Sequence, residues 1–241
     1  MLPAQPNQSL IDGLSVLQAL AGSGKAIGSR ELARLLDMEP TKANRLLKTL
    51  AAIGVAQQQP DRKYVPGPGM HVLSAQSLHG SGLIRDVVPH LEKLLQPGRI
   101  AAMGVLWRDQ TCYLYHANHE MPTPMAMGAA ELYPASRSGI GRVMLASLSN
   151  QQVRDLYHNR EIDGFDSVND LLKELKLIRT QGYAIARPEN RFTTVAVGLG
   201  SNPTYAAIAL SSSQMNQQQI DASVEELIQV KSLITSQRGE G

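Results

Sequence analysis

The sequence contains few residues suited to covalent cross-linking or aromatic packing. Its single cysteine, Cys112, excludes an intramolecular disulfide framework. Aromatic residues make up only 4% of the chain, so its cores must be built from Leu, Val, Ile, Met and Ala. No uninterrupted apolar run approaches about 18 residues, so we expect no transmembrane helix. The N-terminal MLPAQPNQS lacks the basic start and apolar core of a signal peptide, so we expect a cytoplasmic protein.

The composition is that of a soluble globular protein, with 43% hydrophobic and 18% charged residues. A length of 241 residues allows two small domains or one large one. Residues 1–75 contain eight Lys/Arg and five Asp/Glu, whereas the remainder contains 15 and 16. This small basic surplus at the N-terminal end suits a module that binds duplex DNA through a few phosphate contacts.

Residues 28–53 have the pattern of two short helices joined by a tight turn. Ser29 is placed to cap the first helix, and Pro40 suits the first turn of the second. The positions predicted to be buried are Leu32, Leu35 and Leu36 in the first helix and Ala43, Leu46, Leu47 and Leu50 in the second. This arrangement is typical of a helix-turn-helix, whose second helix lies in the major groove.

The outward face of that second helix is polar and basic. Its candidate DNA contacts are Thr41, Lys42, Asn44, Arg45 and Lys48. Arg45 could bind guanine and Asn44 adenine, each in a bidentate way, while Lys48 is placed to contact phosphate. The alternative is a helical hairpin with a solvated charged face and no DNA-binding role.

The flanking segments favour a winged helix-turn-helix over a plain hairpin. Ser9 is predicted to cap a helix that ends near Ala21, with a buried stripe formed by Leu10, Leu14, Leu17 and Leu20. Residues 55–58 and 63–65 are predicted to pair as strands. Arg62 and Lys63 would lie at the tip of this wing and could contact phosphate or the minor groove. We therefore assign residues 1–8 to a disordered tail and 9–68 to a DNA-binding domain.

The rest of the chain is predicted to be a linker helix, residues 69–82, and an effector-binding and oligomerisation domain, residues 83–241. The linker would run from about Met70 to His79 and break at 80–82. Helices are expected at 83–96, 138–148, 149–158, 168–180 and 216–236. Strands are expected at 100–107, 111–117, 124–127, 183–186, 195–199 and 205–210. Because most strands lie in hairpins, we predict an α+β domain with a mostly antiparallel sheet.

Residues 136–141, SRSGIG, lie at the start of a predicted helix and suggest an anion site. Free amides of Gly139, Ile140 and Gly141 would point outward at the positive end of the helix dipole. Further polar groups expected there are the hydroxyls of Thr194 and Ser211 and the guanidinium of Arg137 or Arg191. The alternative is an ordinary capped helix start with no ligand.

Three other patterns do not support a catalytic or metal site. His116-x-x-His119 lacks a nearby carboxylate or thiolate partner, so we do not assign it a metal. Cys112 lies among apolar neighbours and is interpreted as a small buried hydrophobe. Gly139-x-Gly141 lacks the remaining glycine and the preceding strand of a dinucleotide fingerprint. No nucleophile, base and acid have an interpretable spacing, so we expect no cofactor and no enzymatic activity.

Four segments, in order, resemble the isocitrate lyase regulator (IclR) family of bacterial transcription regulators. They are ELARLLDMEPTKANRLLKTLAAIGV followed by KYVPG, then RDVVPHLEKL, then ELYPASRSGIGRVMLASL, and finally IRTQGYAIARPE followed by the VAV and AAIALS strands. The resemblance covers residues 9–236. Arg142 stands where the family usually has Lys, and Thr194 stands where Cys is frequent.

The resemblance implies a winged helix-turn-helix, a linker helix and a GAF- or profilin-like C-terminal domain that binds a small effector, often an organic acid. It also implies a homodimer or a tetramer that represses or activates transcription. The effector positions carried over by matching are Gly139, Ile140, Thr194, Ala209 and Ser211, with Met127, Gly128, Glu189 and Asn190 as further candidates.

We therefore predict an effector-responsive DNA-binding regulator, with repression favoured over activation. Its partners would be a pseudo-palindromic DNA operator, a small organic acid and further copies of itself, but no membrane. The alternative is a small-molecule enzyme or sensor without DNA binding. That alternative would have to explain a basic recognition helix and wing without DNA, and it lacks a catalytic set of residues.

Overall fold

The computed structural model describes residues 5–128, 132–187, 192–200 and 204–239. The chain divides into two compact units, Leu2–Gly82 and Leu83–Gly241. Each unit has its own hydrophobic core.

The N-terminal unit is a winged helix-turn-helix. Its elements are α1 (Gln8–Gly22), α2 (Ser29–Leu35), α3 (Pro40–Ala52), β1 (Ala56–Gln58), β2 (Tyr64–Pro66) and α4 (Pro68–Ser81). Strands β1 and β2 pair antiparallel, and Ile27 adds a bridge to Tyr64 on the other side of β2. The predicted wing behind the second helix of the motif is therefore confirmed.

The core of this unit is smaller than the leucine pattern predicts. Leu20 and Leu32 are buried, but Leu10 is 61%, Leu14 45% and Leu35 64% exposed. The predicted burial of these last three leucines is wrong. Helix α3 and strand β2 contact α1, and the side of α1 that joins the core carries Val16 and Leu20. In α2 the inward face is centred on Leu32 and Ala33, which leaves Leu35 at its margin.

Three helix ends differ from the prediction. Asn7, not Ser9, caps α1 by accepting the Leu10 amide at 3.1 Å, so the helix starts inside the predicted tail. Gly28 precedes α2 without a side-chain cap, and Ser29 is already helical. Helix α4 continues through residue 80 and ends at Ser81, and Gly82 follows as a C-cap with a φ of 65°.

The C-terminal unit is an α+β domain built on one antiparallel sheet. Its helices are α5 (Leu83–Glu92), α6 (Thr123–Ala126), α7 (Gly139–Ala146), α8 (Asn150–Leu156), α9 (Val168–Gln181) and α10 (Gln217–Arg238). Its strands are β3 (Arg99–Trp107), β4 (Gln110–Asn118), β5 (Leu132–Pro134), β6 (Tyr183–Ala186), β7 (Thr193–Leu199) and β8 (Ala206–Ser212). The sheet order is β5-β4-β3-β8-β7-β6, with every neighbouring pair antiparallel. The predicted fold class is confirmed.

One predicted strand, residues 124–127, is instead the short helix α6. Pro122 occupies the position before this helix, and Pro124 lies in its first turn. Proline lacks the amide that a strand would donate to its neighbour, whereas a first helical turn does not need that donor. The strand that pairs with β4 is β5, and it comes a few residues later.

Helices cover both faces of the sheet. Helices α5 and α10 pack on large residues such as Met103, Val195 and Ile208. Helices α7 and α9 pack on the opposite face, where alanines such as Ala102 and Ala209 predominate, and α8 packs against α9. Small residues on that face allow α7 to approach the strands closely. Among the helices that the structure describes, none is long and apolar enough to cross a membrane.

Leu32 and Leu35 provide a matched test of the N-terminal core, because both lie on α2 but are 0% and 64% exposed. We expect Leu32→Ala to lower the free energy of unfolding of this unit by about 2–5 kcal/mol through cavity formation. Leu35→Ala should change it by roughly 0.5 kcal/mol or less. Urea unfolding followed by circular dichroism measures both. Equal losses would show that the inward face of α2 is misassigned.

Candidate DNA-binding surface and effector site

Helix α3 has one buried face and one open face. Ala43, Leu47 and Leu50 are buried against the rest of the unit, while Arg45 and Lys48 are exposed. Thr41 is also exposed, and Asn44 is half-buried beside that face. The open face therefore offers a guanidinium, an ammonium, a hydroxyl and an amide, which can read base edges or bind phosphate.

Lys42 does not belong to that open face. Its ammonium forms an ion pair with the Asp12 carboxylate of α1. Asp12 also accepts a hydrogen bond from Gln8 Nε2 at 2.9 Å. The hydrogen bonds from Lys42 and Gln8 lower the pKa of Asp12. Lys42 thus ties the start of α3 to α1, which orients the helix that carries the other candidates.

The tip of the wing brings two cations to the surface. Arg62 and Lys63 are exposed, and Arg62 has a φ of 64° in the turn between β1 and β2. Asp61 Oδ1 accepts the Lys63 amide at 3.1 Å, and its carboxylate lies 3.5 Å from Lys63 Nζ. The side chain of Asp61 therefore offsets part of the positive charge at this tip.

In the C-terminal unit, three of the predicted effector residues meet at the start of α7. Thr194 and Ser211 are register partners on β7 and β8, and their hydroxyl oxygens lie 2.7 Å apart. A Cβ on Gly139 would be 3.0 Å from Thr194 Cγ2, so α7 starts in direct contact with this pair. Ala209 lies two residues before Ser211 on the same face of β8.

The amides at the start of α7 are only partly available. Ser138 Oγ accepts the Gly141 amide at 3.1 Å, and the Ser138 carbonyl accepts the Arg142 amide at 2.8 Å. The expectation that the Gly141 amide is free is therefore wrong, because Ser138 caps the helix. The amides of Gly139 and Ile140 are the first-turn donors left for a ligand.

A cavity of about 440 Å³ lies in the same unit. It is lined by Tyr113, His116, Met121, Met125, Ala126, Gly128, Leu132 and Tyr133. Tyr113 connects the cavity to α7, because its hydroxyl lies 3.0 Å from Ser138 Oγ. Gly128 is the only one of our predicted effector residues among these lining residues.

Tyr113 and His116 were missed because strict alternation puts residues three apart on opposite faces of a strand. The register of β4 against β3 shifts between Met103 and Gly104, so His116 pairs with Ala102 and Tyr113 with Gly104. This bulge turns both side chains to the α7 face. Sequence periodicity contains no signal for such a bulge.

The rings of Tyr113 and His116 are in contact. Tyr113 and His116 meet edge to face, with centroids 5.6 Å apart. The His116 side chain is exposed, yet the protein atoms around it displace part of its hydration and lower its pKa. Burial raises the pKa of the half-buried Tyr113, because removal of water disfavours phenolate.

The remaining candidates lie at the edge of this region or outside it. Met127 forms a bridge with Tyr115 next to the cavity-lining Gly128. The side chain of Arg137 lies next to Gly164, a residue of the segment that connects α8 to α9. The predicted loop candidates Glu189, Asn190 and Arg191 lie outside the described residues. Within the described ranges, no three His, Cys, Asp or Glu side chains are grouped as a metal site.

The chain combines a winged helix-turn-helix, a fold typical of DNA-binding regulators, with a second domain that contains a cavity of small-molecule size. Two family models match the chain. The IclR helix-turn-helix domain matches residues 9–60, and the C-terminal domain of the bacterial transcriptional regulator IclR matches residues 75–235. The chain belongs to the IclR family.

Individual relatives agree with this assignment. The transcriptional repressor IclR of Escherichia coli is 26% identical over 196 residues, which cover 76% of this chain and 70% of the repressor. A solved IclR-type regulator from Silicibacter has a TM-score of 0.80 and 20% identity over 95% of each chain. An IclR homologue from Microbacterium hydrocarbonoxydans, solved with 4-hydroxybenzoate, has a TM-score of 0.69 and 17% identity over 95% of this chain and all of that one.

IclR-family proteins are transcriptional regulators that bind DNA and small-molecule effectors. The chain is therefore a transcriptional regulator and not an enzyme. This overturns the enzyme half of the alternative, which was a small-molecule enzyme or sensor without DNA binding.

The Asp12–Lys42 pair predicts how stability of the N-terminal unit depends on pH. Because the folded state lowers the pKa of Asp12, the stabilisation is present above the unfolded value of about 3.9 and is lost as pH falls through the lowered pKa. We expect Asp12→Asn to reduce stability by about 0.2–1 kcal/mol at pH 7 and to weaken the loss toward pH 3. Urea unfolding at both pH values measures this. In a Lys42→Met background the effect of Asp12→Asn should shrink, and an unchanged pH dependence in the single variant would contradict the assignment.

Proposed function

We propose that the protein is an effector-controlled repressor that binds a pseudo-palindromic operator as a dimer or tetramer. The observation that carries this proposal is the open face of α3, with Arg45 and Lys48, together with the cationic wing tip in a chain of this family. Repression is supported by the similarity to the E. coli repressor.

In this proposal α3 lies in the major groove. Arg45 reads guanine through its O6 and N7 atoms, and Asn44 reads adenine. Lys48 and the wing residues Arg62 and Lys63 contact phosphate or the minor groove. Thr41 contacts the DNA near the start of the helix.

Lys42 acts differently in this proposal. It orients α3 through Asp12 instead of reading a base. Two copies of the unit would place their recognition helices about 34 Å apart, so the operator would be an inverted repeat.

The effector site lies in the C-terminal unit, where the cavity meets the start of α7. The ligand would be a small organic acid, as suggested by the relative solved with 4-hydroxybenzoate. The amides of Gly139 and Ile140 and the hydroxyls of Thr194 and Ser211 would meet its polar end. Met127, Gly128 and Ala209 would contribute to the walls. The acid alters DNA affinity only if it binds the DNA-competent and DNA-incompetent states unequally.

A genomic-fragment selection with the purified protein at two salt concentrations tests the proposal. We expect enrichment of an inverted-repeat site whose recovery falls as salt rises, because phosphate contacts release counterions. Genes beside the enriched site would name candidate acids, each of which should change the affinity for the operator. Failure to enrich any site, with folded protein and with organic acids added, would overturn the proposal.

Arg45 and Lys48 are both exposed cations on α3, so each serves as a control for the other. We expect Arg45→Ala to weaken operator binding by about 1–3 kcal/mol and to relax the preference at one base pair. Lys48→Ala should weaken binding to all DNA sequences by a similar factor. It should also reduce the slope of the logarithm of the DNA-binding constant against the logarithm of salt concentration by about one. Titrations on the selected operator and on its single-base variants separate the two. If Arg45→Ala leaves the sequence preference unchanged, Arg45 does not read a base.

A further inference from the structure

The walls of the C-terminal cavity come from two kinds of structure. Part of the lining belongs to strands β4 and β5, which are paired with each other in the sheet: Tyr113, His116, Leu132 and Tyr133. The rest belongs to residues 121–128, a short segment that contains α6: Met121, Met125, Ala126 and Gly128. A ligand in the cavity would therefore touch two strands of the sheet and one short segment outside it.

The segment around α6 is the less firmly held of these walls. Helix α6 is a single turn, and only Ala126 among its four residues is buried. The Met121 amide donates to the Asn118 carbonyl at 3.2 Å, and the Gly128 amide donates to the Leu114 carbonyl at 3.1 Å. Segments with few buried contacts shift at a lower free-energy cost than paired strands. We therefore expect α6 to be the part of the wall that moves when a ligand enters.

The same segment also packs in the core that contains α5. Ala126 belongs to the buried cluster that includes Val87 and Leu91 of α5, and Met121 and Met127 pack against that cluster. Met121 and Ala126 thus line the cavity and also contribute to the packing around α5.

One polar contact joins α6 directly to α5. The Thr123 hydroxyl donates to the Glu92 carboxylate at 2.6 Å, and Glu92 is the last residue of α5. Glu92 also lies near the buried Tyr115 of β4, whose pKa is raised first by burial and then by the charge of Glu92. Because Thr123 and Glu92 are exposed, their hydrogen bond adds only modestly to stability. It does fix the position of α6 relative to the end of α5.

Helix α5 connects this contact to the linker. It begins at Leu83, directly after Gly82, which is the C-cap of the linker helix α4. A change in the position of α5 therefore acts on the residue at which the linker ends.

We propose that α6 is a relay: a ligand in the cavity shifts α6, and the Thr123–Glu92 hydrogen bond and the shared core pass that shift to α5 and so to the linker. Thr123 and Glu92 do not line the cavity, so they are positioning residues and not ligand contacts. This inference rests on the effector site of the proposed function and names the route of its regulation.

A covalent probe tests the relay without an identified effector. In a Cys112→Ala background, Leu132→Cys places a single thiol on the β5 wall of the cavity. Benzyl methanethiosulfonate attaches a benzylthio group there, and dithiothreitol removes it. We expect this group to change the hydrogen exchange of the backbone amides of residues 83–92 in the full-length protein, as measured by mass spectrometry. Unchanged exchange in residues 83–92 would overturn the inference.

Threonine variants in the same background identify the contact responsible. Thr123→Val should reduce the effect of the probe on residues 83–92 to about half or less, because the hydrogen bond is lost while the shared core remains. Thr180→Val is the matched control, since Thr180 is exposed and donates to the Lys176 carbonyl of its own helix. It should leave the effect of the probe unchanged. An equal effect in the two variants would exclude the Thr123–Glu92 hydrogen bond as the relay.

A double-mutant cycle separates the contact from unrelated effects of each substitution. Glu92→Ala should reduce the effect of the probe as much as Thr123→Val does, and the two together should reduce it no further. Thermal unfolding checks that each variant is folded. Additive losses would show that Thr123 and Glu92 act independently, which contradicts the relay.

The operator selection keeps the two proposals separate. On a selected operator, the probe should change the DNA affinity of the parent protein and change that of Thr123→Val less. If the probe changes both affinities equally, the relay falls and the regulator proposal stands. If no operator is selected under any condition, the proposed function falls, while hydrogen exchange still decides whether the cavity is coupled to α5.

Discussion

The close approach of α7 to the sheet is the constraint on which the C-terminal unit depends. Every residue of α7 except Arg142 is buried. A Cβ on Gly141 would overlap the Ala135 backbone, and one on Gly139 would press on Thr194. With alanines beneath it, the helix lies deep enough for Ser138 to cap it and to reach Tyr113. Larger residues would move the helix start away from both the Thr194–Ser211 pair and the cavity.

The N-terminal unit is subject to a different constraint, because one face of the short helix α3 must be buried while the other stays open. Leu47 lies in the core, whereas Arg45 is exposed only two residues away. With so small a core, the orientation of α3 also depends on polar contacts such as the Asp12–Lys42 ion pair. A charged residue on a recognition helix can thus fix the orientation of that helix instead of contacting DNA.

Local patterns predicted much of the architecture. The 3.6-residue periodicity of α3, Pro40 at its start and the turn residues between β1 and β2 are short-range features, so the winged helix-turn-helix could be identified from them. The errors arose where burial depends on contacts with residues distant in the sequence. Leu10, Leu14 and Leu35 are apolar at helical spacing, yet the described residues of their unit leave each of them about half exposed or more. The prolines near Thr123 were compatible with a first helical turn as well as with the edge of a strand.

The sequence by itself determined the two-part organisation, the open basic face of α3 and the glycine-rich start of α7, since each depends on residues that are close together along the chain. Only the tertiary structure decided which groups form the cavity. Thr194 meets Ser211 through strand register, and Tyr113 joins His116 through a bulge in β4. Register and bulges result from pairing between distant segments and from packing on both faces of the sheet, and no local spacing encodes them.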